Sequence, residues 1–334
     1  MTDMILYLAM ATAGYILASK IQDKKDKFWW TGKVQTIAIV CLVLLMGMRM
    51  GSNQEIIDNI GTIGLSAFIM TIVIMVFSVG FIIIARIIMR IDRYGNIMTK
   101  EEASETKERK KKEKLEGKTK EKPKRELNKM TIIILVCVIV GMVFGYLVIK
   151  PMFEGRMDDF VNFASRGIQI GLCVLIFLVG MDLGFVGHIF KSMKEAGIRV
   201  LIIPVVILFG SLVGGAISGT VLGFSIKESL AIAGGLGWYS LAPGIIMEAG
   251  YITASAVSFL HNVFRETFTI LLVPTIAKRL GYVETIAMAA SPAMDVCLPI
   301  IERSTAPHVA VYSFISGAFL SIMVPIVVSL FIGL

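Results

Sequence analysis

Two stretches of this chain set ionisable side chains into otherwise apolar sequence. Asp295 sits in Ser291-Pro292-Ala293-Met294-Asp295-Val296-Cys297-Leu298-Pro299, with no other charge between Glu284 and Glu302. An ionised Asp in the middle of a membrane helix costs about 2.5–3.5 kcal/mol on insertion scales. Such a residue points to a cationic ammonium, a proton or a sodium ion as its ligand, with a permanent structural pair to a nearby Arg as the alternative. The second stretch is Ser255–Thr269. At about 100° per residue, Ser255, Ser258, His261, Asn262, Arg265, Glu266 and Thr269 share one arc of about 140°, opposite Val257, Phe264 and Phe268. That stripe must line a cavity or meet polar partners across a bundle; a helix lying along the membrane surface is the competing arrangement. Arg265 is a candidate charge partner for Glu266 or Asp295, since an opposite charge nearby favours the ionised form.

The elements carrying these residues are irregular. Leu230–Ala249 contains Gly234-Gly235-Leu236-Gly237-Trp238-Tyr239-Ser240-Leu241-Ala242-Pro243-Gly244, and Ala287–Glu302 contains the Asp295 run. Each passes a proline and a pair of isoleucines and then reaches a glutamate, Glu248 or Glu302. Proline removes a backbone donor, so both segments should unwind within the membrane, which is tolerated only where the backbone lines a cavity or is buried in protein. A pair of such segments points to a substrate site. Trp238 and Tyr239 could form an aromatic wall attracting an ammonium, or serve as interfacial or packing residues; Ser240 adds a hydroxyl. Chemistry of other kinds lacks its residues. No Gly-x-Ser-x-Gly, P-loop or HExxH is present, and Cys41, Cys137, Cys173 and Cys297 show no metal-like spacing. The expectation is a non-enzyme without cofactor or metal, whose active transport draws on an ion gradient.

The surroundings are membrane-like. Hydrophobic residues make up 56% of the 334, and the mean hydropathy is +0.78. A helix needs about 20 apolar residues to cross a bilayer, and Gly61–Ala85, Met130–Ile149, Val200–Ile226 and Ser304–Leu334 each run without Asp, Glu, Lys or Arg. Spans are expected near 4–19 (retained, not a cleaved leader, because Asp3 stands where a basic segment should be), 33–51, 61–89, 130–149, 165–184 and 198–223. The formal net charge is +8, and residues 100–129 hold 13 Lys/Arg against 8 Glu. That stretch lacks interleaved aromatics, so it reads as a solvated loop near anionic headgroups and not as a nucleic-acid surface. Five lysines in Lys20–Lys33 and the basic linker should face the cytoplasm, which puts the N-terminus and C-terminus outside.

A repeat flanks the linker. Gly47-Met48-Arg49-Met50-Gly51 aligns with Gly180-Met181-Asp182-Leu183-Gly184, Gly64 with Gly197, and Ala67–Ser78 with Val200–Ser211, all without a gap. An odd number of spans separates the copies, so the second lies inverted, as in secondary transporters. Arg49 and Asp182 occupy matching positions; snorkelling accounts for Arg49, while Asp182 is either structural or a binding residue. The expected organisation is a first membrane repeat of three spans at 1–92, a basic cytoplasmic linker at 93–129, a second, inverted repeat of three spans at 130–226, and a C-terminal membrane segment with broken helices and the substrate site at 227–334. The fold class is all-α and polytopic, with about eight full spans plus two broken or re-entrant segments.

Gly237-Trp238-Tyr239-Ser240-Leu241, Asn262 with Arg265-Glu266, and Met294-Asp295 followed by Leu298-Pro299 together resemble the LysO-type lysine exporters. The resemblance implies export of lysine and its analogues across the cytoplasmic membrane of a prokaryote, using intramembrane acids and a proton or sodium gradient. It implies substrate or ion contacts at Asp295, Glu266, Arg265, Asn262, Tyr239 and Ser240, and it leaves the oligomeric state open, a homodimer included. The chain departs from the family pattern at Ala242-Pro243, Val263 and Ser291-Pro292-Ala293, and in its long basic linker. Those departures keep two alternatives in play, export of another amine or amino acid, and a membrane sensor or scaffold that uses the linker.

Overall fold

The computed structural model describes residues 2–21, 28, 30–96, 129–186 and 198–333. Most of the basic linker lies outside the described residues, as do Gly197 of the repeat and Lys191 and Lys194, two basic residues that the inverted copy should place on the cytoplasmic side. The chain forms α1 (Thr2–Lys20), α2 (Thr31–Ser52), the short α3 (Gln54–Asp58), α4 (Ile60–Ile88), α5 (Lys129–Phe144, extended through a π turn to Met152), α6 (Met157–Val186), α7 (Ile198–Val221), α8 (Ile226–Ala233), α9 (Ala242–Glu248), α10 (Ile252–Arg279), α11 (Val283–Ala289), α12 (Leu298–Ser304) and α13 (Pro307–Ile332). Among the described residues seven helices are long and apolar enough to cross a bilayer: α2, α4, extended α5, α6, α7, α10 and α13. α1 adds a shorter apolar stretch, Ile5–Lys20. The protein is therefore an all-α polytopic membrane protein. α6 starts well before the expected span at 165, because Asp158 and Asp159 occupy its first turn, where the helix dipole favours acids.

The outer surface is apolar. Leu65, Ile72 and Val76 on α4 and Val136, Ile139 and Val143 on α5 are exposed, a patch suited to lipid and not to water. Between helices, small residues permit close backbone approach, which is how membrane helices pack in lipid. A Cβ at Gly47 would lie 2.7 Å from the Val138 carbonyl oxygen, and one at Gly141 the same distance from that of Leu44, locking α2 to α5. Gly14 against the Phe177 carbonyl and Gly180 against that of Ala11 do the same for α1 and α6. Gly51 abuts the Met142 backbone, whereas Gly61 faces open space. Gly51→Val should therefore cost the protein its monodisperse elution in detergent, while Gly61→Val should elute as the parent does.

Contacts at the helix ends orient the elements. Gly210 meets Ser78 and Gly214 meets Ile74, so α7 runs antiparallel to α4. Gly167 against Leu45 and Gly171 against Leu42 set α6 antiparallel to α2. At the Asn53–Asn59 end, Arg49 pairs with Glu248 at 2.7 Å, Thr253 Oγ1 donates to Glu55 Oε1 at 3.3 Å, and Lys150 bonds Gln54. At the other end, Tyr282 N donates to the Arg93 carbonyl at 2.9 Å. There too His308 Nε2 lies 3.0 Å from the Tyr94 carbonyl, and Arg86 Nε donates to Glu284 at 2.7 Å.

Candidate functional site

The half-length helices α8–α9 and α11–α12 are joined by irregular backbone deep in the bundle. α8 starts cleanly, with Ser225 and Glu228 forming a reciprocal capping box. It then fails at Gly234-Gly235, and α9 restarts with Pro243 in its first turn; α12 restarts the same way at Pro299. Proline is suited there because its missing N–H would have no helical partner. Leu236 and Ala290 both hold positive φ, 49° and 56°, conformations that cost energy outside glycine and cluster at functional sites. Gly237, at φ 96°, marks the crossing of the two tips: a Cβ there would stand 2.7 Å from Pro292 Cδ. Ser291 N donates to the Leu236 carbonyl at 3.0 Å and ties the tips together.

α10 is the strut behind both tips. Asn262 Oδ1 accepts from Gly237 N at 2.6 Å, while its Nδ2 donates to the Ser258 carbonyl at 2.8 Å. One turn on, Arg265 Nε donates to the Met288 carbonyl at 3.0 Å and Nη2 to that of Ala287 at 3.0 Å. These are terminal carbonyls of α11, which lack helical donors and favour a cation. The same guanidinium reaches Ser211 Oγ at 3.2 Å and Ser78 Oγ at 3.4 Å, two hydroxyls 2.8 Å apart on the α4–α7 seam.

In front of the strut lies a cavity of about 350 Å³, within the range of small-molecule sites. Gln35 of α2 and Asp182 of α6 line it on one side; Trp238, Tyr239, Ser240, Glu266, Ser291, Asp295 and Ser321 line it on the other. Among the described residues Asp182, Glu266 and Asp295 are its charged lining, with no Lys, Arg or His. Asp295 is exposed to this space, and its Oδ1 accepts from Val296 N at 2.5 Å. Trp238 Nε1 donates to Ser240 Oγ at 3.1 Å, holding the indole at the wall. Among the described residues no group of three or more His, Cys, Asp or Glu could hold a metal ion.

The structure thus brings Asp295, Glu266, Trp238, Tyr239, Ser240 and Asp182 to one cavity. The other three candidates stand behind it. Asn262 and Arg265 hold backbone, and Arg265 bonds carbonyls and hydroxyls in place of the expected Glu266 or Asp295, because its guanidinium is aimed at the open carbonyl end of α11. His261 is turned toward α4, its Nδ1 3.0 Å from Thr71 Oγ1. All seven residues of the polar stripe are buried, so α10 is an interior helix and not one lying on the membrane surface. Arg49 does not snorkel: it is 5% exposed and bound to Glu248. Gln35, Ser291 and Ser321 join the lining; Ser291 carries a sequence signal in its unwound segment, whereas Gln35 and Ser321 lie on regular spans without local signal.

Fold and site define a class, a polytopic helical membrane protein with a carboxylate-lined cavity where two broken helical segments cross. The chain belongs to the lysine exporter LysO family, whose model matches residues 122–332, and it is accordingly a family of transporters and not of enzymes that it joins. It is 30% identical to the lysine exporter LysO of Escherichia coli over 172 residues, covering 52% of this chain and 57% of that protein. The match therefore spans little more than half the length of that relative. A Haemophilus influenzae protein named for lysine export is 28% identical over 201 residues, 59% of this chain and 96% of that one. No solved structure matches.

Proposed function

We propose that this chain exports L-lysine or a related cationic amino acid by alternating access, driven by entry of protons or sodium ions. The observation that carries this reading is the charge of the cavity, whose described lining includes Asp182, Glu266 and Asp295 and, among the described residues, no basic side chain. Such a space favours a ligand with net positive charge and disfavours anions and apolar solutes. Lysine brings two ammonium groups and one carboxylate. The ammonium groups suit the carboxylates and the Trp238 face, and freed backbone donors of the unwound tips suit the carboxylate. With the substrate gone, the same acids favour a coupling cation, which is the logic of antiport.

The packing supports an inverted repeat, with units at 1–92 and 130–226. α1 packs on α6 as α5 packs on α2, and α4 faces α7. Gly47 and Gly51 meet the carbonyls of Val138 and Met142; their mates Gly180 and Gly184 meet those of Ala11 and Tyr15. Contacts advance in step in both pairs. Ser78 and Ser211, which end the two aligned runs, touch each other, as residues near a pseudo-two-fold axis should. The helix ends support re-entrant hairpins: α7, antiparallel to α4, delivers the start of α8 toward the Asn53–Asn59 end, where α9 finishes with Glu248 on Arg49, while α11 starts and α13 begins at the Arg93–Tyr94 turn. The basic loops favour the cytoplasmic side of a prokaryotic inner membrane for that turn.

The test is uptake of labelled lysine into proteoliposomes preloaded with lysine, challenged with other amino acids. Arginine and ornithine should compete, and norleucine, which keeps lysine's shape without the ε-ammonium, should compete at least about tenfold less, the equivalent of about 1.4 kcal/mol. Equal competition by norleucine would remove the charge of the cavity as the basis of selectivity.

A further inference from the structure

One polar residue of the cavity has no part in attracting a cation. Gln35 stands in the second turn of α2 and lines the cavity across from the broken segments. The contacts of Gly167 with Leu45 and of Gly171 with Leu42 fix the register of α6 on α2. In that register Gln35 is level with Phe177 and Leu178, about one helical turn further from the end of α6 than Asp182. Its neighbour Thr36 is satisfied within the helix, donating to the Gly32 carbonyl at 2.9 Å. Gln35 turns its amide to the cavity instead, where a polar ligand would stabilise it in an otherwise apolar span.

A cationic amino acid sets this cavity a problem that its acids cannot solve. Glu266 and Asp295 attract the ammonium groups but repel the carboxylate. Acids alone would prefer a diamine, whose net positive charge is higher. Among the described residues the side-chain donors of the lining are Gln35, Trp238, Tyr239, Ser240, Ser291 and Ser321. Several are engaged. Trp238 Nε1 donates to Ser240 Oγ at 3.1 Å, and the Ser291 and Ser321 hydroxyls lie 2.5 Å apart. Tyr239 and Ser240 belong to the wall that carries Glu266 and Asp295. Gln35 is on the opposite wall, and its uncharged amide offers two N–H donors. A carboxylate has two oxygens, so a backbone donor of the tips can serve one and the Gln35 amide the other.

We propose that Gln35 recognises the substrate's carboxylate, so that the site selects α-amino acids with a cationic side chain over diamines of the same length. The proposal rests on the lysine reading above and narrows its substrate class. Lysine and cadaverine (1,5-diaminopentane) carry the same two ammonium groups on the same carbon chain, and only lysine has the carboxylate. The pair therefore isolates the group that Gln35 is assigned to hold.

The test compares the two ligands on the full chain, the parent beside Gln35→Leu and Gln35→Glu. Binding is read as protection against thermal unfolding in detergent, and transport as flux of labelled lysine into proteoliposomes. The melting temperature of each variant without ligand reports its folding. In Gln35→Leu the half-saturating concentration of lysine should rise at least about tenfold, the loss of a hydrogen bond to a charged group. That of cadaverine should not change, and lysine flux at saturation should be retained. Gln35→Glu should part the ligands further, weakening lysine and tightening cadaverine. A packing role for Gln35 would move both ligands in one direction. That outcome, or a parent that binds cadaverine more tightly than lysine, would overturn the proposal while leaving a cation site in place. A parent protected by neither ligand would remove the lysine reading itself, and the role of Gln35 with it.

Discussion

Asp295→Asn is expected to reduce lysine efflux from proteoliposomes by roughly 10²–10⁴-fold, the loss expected at about 3–5 kcal/mol if a bound lysine ammonium closes the cavity over Asp295 and the variant removes that charge partner. Asn keeps the shape of the side chain and an oxygen that can accept from Val296 N, as Asp295 Oδ1 does now. The local backbone should therefore survive, and the loss should report charge alone. Asp295→Glu, which keeps the charge on a longer arm, should retain more flux than Asn. Folding is checked by elution in detergent. The outcome that would move the site is full activity in Asp295→Asn; attention then passes to Glu266 and Asp182, the other two carboxylates of the same cavity.

Much of this arrangement is legible in the chain because membrane segments announce themselves through composition. Long uncharged runs give the spans, and glycine and proline inside apolar sequence give the two breaks. Asp295 stands out because nothing else in its segment is charged. Tertiary pairing left no such trace. Arg49 has a sufficient local explanation near a helix end, and its true partner lies 199 residues away. The stripe on α10 shows a further limit of periodicity. Arg265 and Glu266 are sequence neighbours and so diverge by about 100° around the helix. One arc therefore serves two surfaces, Glu266 lining the cavity and Arg265 reaching back to the end of α11. Helical spacing shows that the face is buried and polar, but which polar residue meets ligand depends on where the broken hairpins end, and only the packed structure supplies that.

Arg265→Met should damage the protein in two ways. Methionine fills similar space without donors or charge, so the Met288 and Ala287 carbonyls and the Ser78–Ser211 pair lose a common partner. Each buried polar group left unsatisfied costs about 1–3 kcal/mol. The penalty falls where α11 gives way to the Asp295 segment. A lower melting temperature in detergent should accompany a flux loss of at least about a hundredfold, equivalent to about 2.7 kcal/mol. Arg265→Lys should recover part of the stability, since one ammonium can serve either the carbonyls or the hydroxyls but lacks the planar fork to serve both. The double variant Arg265→Met with Glu266→Gln separates two roles for the arginine. If Arg265 acted through charge on the neighbouring carboxylate, neutralising Glu266 as well would relieve the defect in stability. Its guanidinium bonds backbone and hydroxyls, so the double variant should melt no higher than Arg265→Met alone. Recovery in the double variant would return Arg265 to the electrostatics of the cavity and take from it the role of holding the hairpin.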